Sequence, residues 1–328
     1  MKISFQLCLF SAPLLALGAA PAAAADIAGP VTGYVFDAPS HSVLPVLGIP
    51  GAATLGDPVS LGLDITYAAV APGQDYLLAV GTDGQAWLVR PDAATAQAGR
   101  LDLLHGAPQR IVFSPRGSAA LFLQDSTADV YTGLPGSPAL ARTLALRSLS
   151  PSSAFAVSDD GSAVLGATGD ALSVAGPSAE WKALPGVGTD ASVAFSPGSS
   201  DAAVASRSAN TVTLLRSPAS GGERSAIAGP ADGIAGPVGI AFTADGRILV
   251  ANSDKGTVSI LSPSGDAPAA VTCGCTPTGL SAMGRVFRLN DRTDAPIWLV
   301  DAGADQPRAL FIPALQSSPA AGNGGTSQ

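Results

Sequence analysis

The chain has 328 residues, 47% of them hydrophobic and 13% charged, with a formal net charge of −8. That acidity argues against nucleic acid or an anionic lipid surface as a partner, and the positive mean hydropathy argues against a disordered acidic chain. A chain this long buries a large core, either as about two ordinary domains or as one closed all-β unit.

The first element is "MKISFQLCLFSAPLLALGAAPAAAAD", in which Lys2 precedes an apolar stretch that ends in Ala22-Ala23-Ala24-Ala25. This is the layout of a secretory signal peptide cleaved before Asp26. An uncleaved anchor fits less well, because Pro13 and Pro21 interrupt an alanine-diluted stretch and a span needs about 20 strongly apolar residues. Cys8 has no lipobox around it. Cleavage removes Lys2 and no acid, which takes the charge from −8 to −9, and leaves no further stretch long enough to cross a membrane. The expected destination is the periplasm or the extracellular space.

Residues 29–56 then read as two strands: Gly33–Asp37, a hairpin turn holding His41, and Ser42–Gly48. They resemble the last two strands of a longer repeat. That repeat follows in six copies, in which apolar residues alternate with small ones on either side of turns. The clearest copy is "VGIAFTADGRILVANSDKGTVSIL", residues 238–261. Its relatives span 67–89, 110–133, 154–176, 192–215 and 279–301. Aligned on Val70, Phe113, Val157, Phe195, Phe242 and Ala282, they recur at steps of 43, 44, 38, 47 and 40 residues. Such a period fits a four-stranded β-propeller blade, and the alternation excludes a helical repeat of similar length.

Within a copy, Asp-Gly or Pro-x-Gly sits at the first turn (Asp245-Gly246, Asp160-Gly161, Pro115-Arg116-Gly117), where glycine accepts positive φ at low cost. An irregular fourth, outer strand is read in Pro268–Gly274, Arg100–Gly106 and Ala309–Pro313. Through "VFSPRG", "VAFSP" and "IAFTADGRILVANSDKGTVSIL" the chain resembles the bacterial YVTN-type and tryptophan–aspartate-type β-propellers over about residues 29–315. It has no Trp-Asp dipeptide and no Gly-His opening of the narrower group. The resemblance implies a closed disc with a central channel and no particular activity.

The expected organisation is a leader over 1–25, an all-β propeller over 26–315 and a Gly/Ser/Pro-rich disordered tail over 316–328. At roughly 42 residues per blade the span holds about seven blades, with six as the alternative. The N-terminal strands either form a short seventh blade or add to the C-terminal copy and close the ring.

Candidates for chemistry are few. The only histidines are His41 and His105, too few for a multi-histidine metal site. No nucleophile-elbow, P-loop, metalloprotease or EF-hand pattern occurs. Cys273-Gly-Cys275 is a candidate disulfide staple, with free thiols or a redox or metal role as alternatives. The loops from second to third strand carry Asp83, Asp125, Asp170, Asn210, Asp254 and Asp291. Closure would set these in a ring on one face, able to bind calcium or a basic partner. The plainer reading is that such turns simply prefer Asp and Asn, with Arg207, Lys255 and Arg292 partly neutralising the ring. Arg110 and Asp190 fall in or near connections between blades and are candidates for the channel mouth.

The function expected is that of an exported, monomeric, non-catalytic scaffold with no resident cofactor, binding a protein or envelope component through one face. The alternatives are a propeller enzyme, acting on lactones or through a quinone or metal at the channel mouth, and a purely structural envelope protein.

Overall fold

The structure, a computed structural model, describes residues 30–91, 96–169, 171–264, 266–291 and 294–314. The expected leader and tail, Asp170 and Arg292 lie outside these residues.

The alternating repeats form seven antiparallel sheets, each built from consecutive strands. Blade one contains β1 (Val31–Asp37), β2 (Ser42–Ile49) and β3 (Ala52–Leu55). Blade two contains β4 (Ile65–Val70), β5 (Leu77–Gly81), β6 (Ala86–Arg90) and β7 (Gln97–Leu101). Blade three is β8 (Arg110–Phe113), β9 (Ala119–Leu123), β10 (Thr127–Thr132) and β11 (Ala139–Ala145). Blade four is β12 (Ala154–Val157), β13 (Val164–Ala167), β14 (Leu172–Ala175) and β15 (Trp181–Ala183). Blade five is β16 (Ala191–Phe195), β17 (Ala202–Ser206), β18 (Thr211–Leu215) and β19 (Arg224–Ala228). Blade six is β20 (Pro237–Phe242), β21 (Ile248–Asn252), β22 (Thr257–Leu261) and β23 (Ala269–Thr272). Blade seven is β24 (Ser281–Met283), β25 (Val286–Arg288), β26 (Ile297–Asp301) and β27 (Arg308–Ile312).

The ring is a seven-bladed β-propeller, and its core is divided among seven apolar clusters, one in each seam between neighbouring blades. Leu123 and Val130 of blade three meet Phe155 and Val157 of blade four, for example. Val35 and Leu44 of blade one meet Met283 and Leu299 of blade seven and close the ring. Each blade is therefore covered on both faces. The second strands β5, β9, β13, β17 and β21 are buried at every residue, which explains why alanine and glycine fill positions that a one-sided sheet would leave polar. All six sequence anchors fall on the innermost strands β4, β8, β12, β16, β20 and β24.

Two sequence expectations are corrected. The outer strand of blade two is Gln97–Leu101, paired with Ala86–Arg90, and not Arg100–Gly106. Four of its five residues are exposed at the rim, so no apolar period marks it. The N-terminal segment supplies three strands and not two. Its outermost strand β3 packs beside β27, the outer strand of blade seven, and β1 begins next to the first turns of blades two and seven, where Tyr34 N–H donates to Gln74 Oε1 at 2.8 Å. The three strands thus stand where second, third and fourth strands stand elsewhere, and this blade is short of the strand nearest the axis. The turn into β3 is Pro50-Gly51, and the four-residue strand beyond it, Ala-Ala-Thr-Leu, is too short and small-sided to show an apolar period.

Loops from second to third strand share a face with the linkers between blades. Asn210 Oδ1 accepts from Gly236 N–H at 2.7 Å, and Asp64 C=O accepts from Thr82 N–H at 3.0 Å. The turns from first to second strand occupy the opposite, turn face. There the Asp159 carboxylate accepts from the amides of Arg116 and Gly198 in the neighbouring blades.

Burial pushes the phenols of Tyr67, Tyr76 and Tyr131 above the usual tyrosine value; for Tyr67 a bond from Ile111 N–H and the charge of Arg110 offset part of the rise. A raised folded-state pKa means these phenols contribute stability in full below the unfolded value near 10, and that contribution is lost as pH rises through the folded values. The expected result of an alkaline titration is that these three phenols ionise together with loss of near-UV circular dichroism, above about pH 10. Ionisation of all three near pH 10 in protein that keeps its near-UV signal would contradict this.

Candidate binding face and central channel

The innermost strands surround a channel of about 780 Å³ with mixed polar and apolar walls. Tyr67, Phe113, Phe155 and Phe242 contribute aromatic surface, and Arg110, Arg288 and Asp291 bring charge. Arg110 begins β8, and its guanidinium donates to the carbonyls of Ser153 (2.9 Å) and Pro151 (3.3 Å). Arg288 Nη2 lies 2.6 Å from Asp291 Oδ1. The charged groups at the mouth are thus already engaged, which lowers the cost of holding them beside apolar wall.

A second hollow of about 530 Å³ adjoins the mouth on the linker face. Ser148, Ser150, Ser152, Thr168, Asp190 and Arg207 line it, and Ser152, Ser192, Val238 and Thr278 border both hollows. Asp190 sits at φ 52°, and its backbone joins Gly169 and Arg207. Arg110 and Asp190 therefore line different hollows and form no joint centre.

The ring of turn residues shares this face, but its described members are occupied separately. Asp83 accepts from Gln85 N–H at 3.0 Å, Asp125 accepts from the Gln109 side chain, and Asn210 holds Gly236. Asp254 accepts from Ser253 Oγ at 3.0 Å, and Asp291 pairs with Arg288. Only Asp291 lines the channel. Among the described residues no three His, Cys, Asp or Glu side chains gather closely enough to hold a metal ion. Cys273 and Cys275 are joined as a disulfide with Cα atoms 5.2 Å apart. The bridge lies in the linker after β23, where Cys273 N–H donates to Gly256 C=O at 3.0 Å.

Sequence reasoning missed Asp129, a fully buried carboxylate on β10. It accepts from Thr143 Oγ1 at 2.6 Å and meets His105 Nδ1 at 2.9 Å. An acid between Ala128 and Val130 in a buried strand was the signal: such a group needs partners, and His105 supplies one from the preceding linker. The pair lies away from the channel and fastens that linker to blade three. Replacing His105 with Ala is expected to cost about 2 kcal/mol, the scale of a bond to a buried charge, with His105→Gln keeping most of it. Urea melts with an unchanged midpoint for His105→Ala would remove this role.

No protein-family model matches the sequence, and no curated relative does. Solved structures are similar in fold. One is a functionally unknown protein from Desulfotomaculum acetoxidans, at 10% identity and a TM-score of 0.56, with 86% of this chain and all of that one covered. Another is the WD40 repeats of RRP9, at 12% identity and a TM-score of 0.53, covering 77% of this chain and 82% of that one. At these identities the likeness concerns the fold alone.

Proposed function

We propose that this propeller is an exported, monomeric, non-catalytic scaffold that holds a protein or cell-envelope partner against its linker face. The observation that carries this reading is the continuous concavity there, a hydroxyl-lined basin opening into the channel mouth. Serine and threonine hydroxyls both donate and accept, so such a surface suits hydrogen-bonded recognition. The leader-like N-terminus supports export, and the net negative charge favours a neutral or basic partner.

Affinity capture from envelope extract tests it, using the chain from Asp26 onward. A Ser152→Glu/Arg207→Glu variant alters the linker face, and Arg116→Ser on the turn face is the control. A partner kept by the control and lost from the double variant supports the reading. Capture that both retain, or none by folded wild type, refutes it.

A further inference from the structure

Blade one leaves a strand edge open to the channel. On β2, the carbonyls of Val43 and Pro45 accept from Val59 and Gly56 on the outer side, both at 2.8 Å. Leu44 and Val46 therefore bond inward to their register partners Val35 and Gly33. Alternation then turns the N–H and C=O groups of Tyr34 and Phe36 toward the axis. In the other six blades a first strand covers that edge.

The lower end of the edge is already capped. Tyr34 N–H is taken by Gln74 Oε1 at 2.8 Å, and Gln74 Nε2 donates to Ala71 C=O at 3.0 Å. Gln74 stands at a turn position that is glycine in blades three, four and six: Gly117, Gly161 and Gly246, with φ of 73°, 68° and 85°. Gln74 adopts φ 65° there, a left-handed conformation that strains a non-glycine residue. Gly33 makes room for it, since a Cβ at that residue would lie 2.7 Å from Gln74 Oε1. A strained side chain thus does the work of one residue of the missing strand. On the turn face Gly284 N–H meets Pro72 C=O at 2.8 Å and bridges the gap between blades seven and two. Nearer the linker face, Phe36 lines the channel, and because Val35 pairs with Leu44 and Val43 C=O accepts from Val59 N–H, alternation aims the Phe36 N–H and C=O away from β2.

We propose that this edge receives an extended peptide segment of a partner protein by strand addition, with Phe36 N–H and C=O exchanging a bond pair with one peptide residue. A donor and an acceptor from a single strand residue match a peptide backbone in antiparallel pairing. The adjoining wall, Tyr67, Val70, Ala282 and Met283, is uncharged, and the arginines at the mouth are engaged with Asp291 and with carbonyls. The segment it fits is therefore neutral, with small or β-branched side chains. This goes beyond the linker-face reading and does not depend on it.

The probe is acetyl-Val-Ser-Val-Ser-Val-amide added to the full chain, with amide exchange followed by NMR. With about nine-tenths of the protein carrying peptide, exchange of the Phe36 amide is expected to slow about tenfold. The same peptide N-methylated at its central valine gives no slowing. In Gln74→Gly the peptide also slows the Tyr34 amide. Three results would overturn the proposal: a Phe36 amide unaffected at millimolar peptide, equal protection by the N-methylated peptide, or a Phe36 amide already protected without peptide, which would mean that the chain itself covers the edge. Protection of Phe36 without Tyr34 in folded Gln74→Gly would overturn the strand geometry.

Discussion

Leu44→Ala is expected to destabilise the propeller by about 3–5 kcal/mol, the cost of emptying a fully buried leucine site. At about 2 °C per kcal/mol for a chain of this size, the thermal midpoint falls by roughly 6–10 °C. Leu44 is 1% exposed and sits in the seam between blades one and seven, with Val35, Met283, Leu299 and Ile312. This seam differs in kind from the other six. Elsewhere a linker joins one blade to the next, whereas here the first and last blades are joined by side-chain packing, with the bond from Gly284 N–H to Pro72 C=O bridging blades seven and two beside them. Leu165→Ala is the matched control, an equally buried leucine between blades four and five. Both variants should lose similar global stability. Only Leu44→Ala should also bring early hydrogen exchange to β1–β3 and β24–β27, because loss of closure lets the end blades open ahead of the rest. Early exchange in the same strands of Leu165→Ala would show that the seam has no special weakness.

The parts of this architecture that repeat were legible in the sequence, and the parts that occur once were not. Val70, Phe113, Val157, Phe195, Phe242 and Ala282 mark the innermost strands because each four-stranded blade packs between two neighbours in the same way, so the same spacing returns. The turn glycines at 117, 161 and 246 are legible for a local reason, positive φ. The outer strand of blade two escaped because Gln97–Arg100 face solvent and follow no apolar period. Blade one was read as two strands because the sequence pattern does not say which neighbour a strand will lack. The candidate face fared similarly. Loop position placed Asp83, Asp125, Asn210, Asp254 and Asp291 on one face, but not their separate bonding, which depends on Gln109, Gly236 and Arg288 reaching them. Gln74 was passed over because its departure from the repeat acquires meaning only when β1 is seen beside it.

Asp159→Ala is expected to cost about 3 kcal/mol, far more than an ordinary turn aspartate. Its two carboxylate oxygens divide between blades: Oδ1 accepts from Arg116 N–H of blade three at 2.8 Å, and Oδ2 from Gly198 N–H of blade five at 2.7 Å. Its own carbonyl accepts from Ser118 Oγ at 2.6 Å. One residue in the first turn of blade four thus ties three consecutive blades on the turn face. Each backbone bond to an ionised acceptor stabilises by about 1.5–3 kcal/mol. The side chain is 12% exposed, so water only partly replaces the bonds when it is removed, which sets the expected loss near the lower end of their sum. The nearby Arg116 guanidinium adds little, since its Nε lies 4.0 Å away and the side chain is largely exposed. Asp159→Asn separates these contributions. It keeps one acceptor oxygen but turns an NH₂ toward the other amide, so it should lose about half as much as Asp159→Ala. Arg116→Ser, which retains both backbone bonds, should stay within about 0.5 kcal/mol of wild type. Urea melts of the three variants measure this directly. If Arg116→Ser lost as much as Asp159→Ala, the surface ion pair and not the paired amides would be the clamp between the blades.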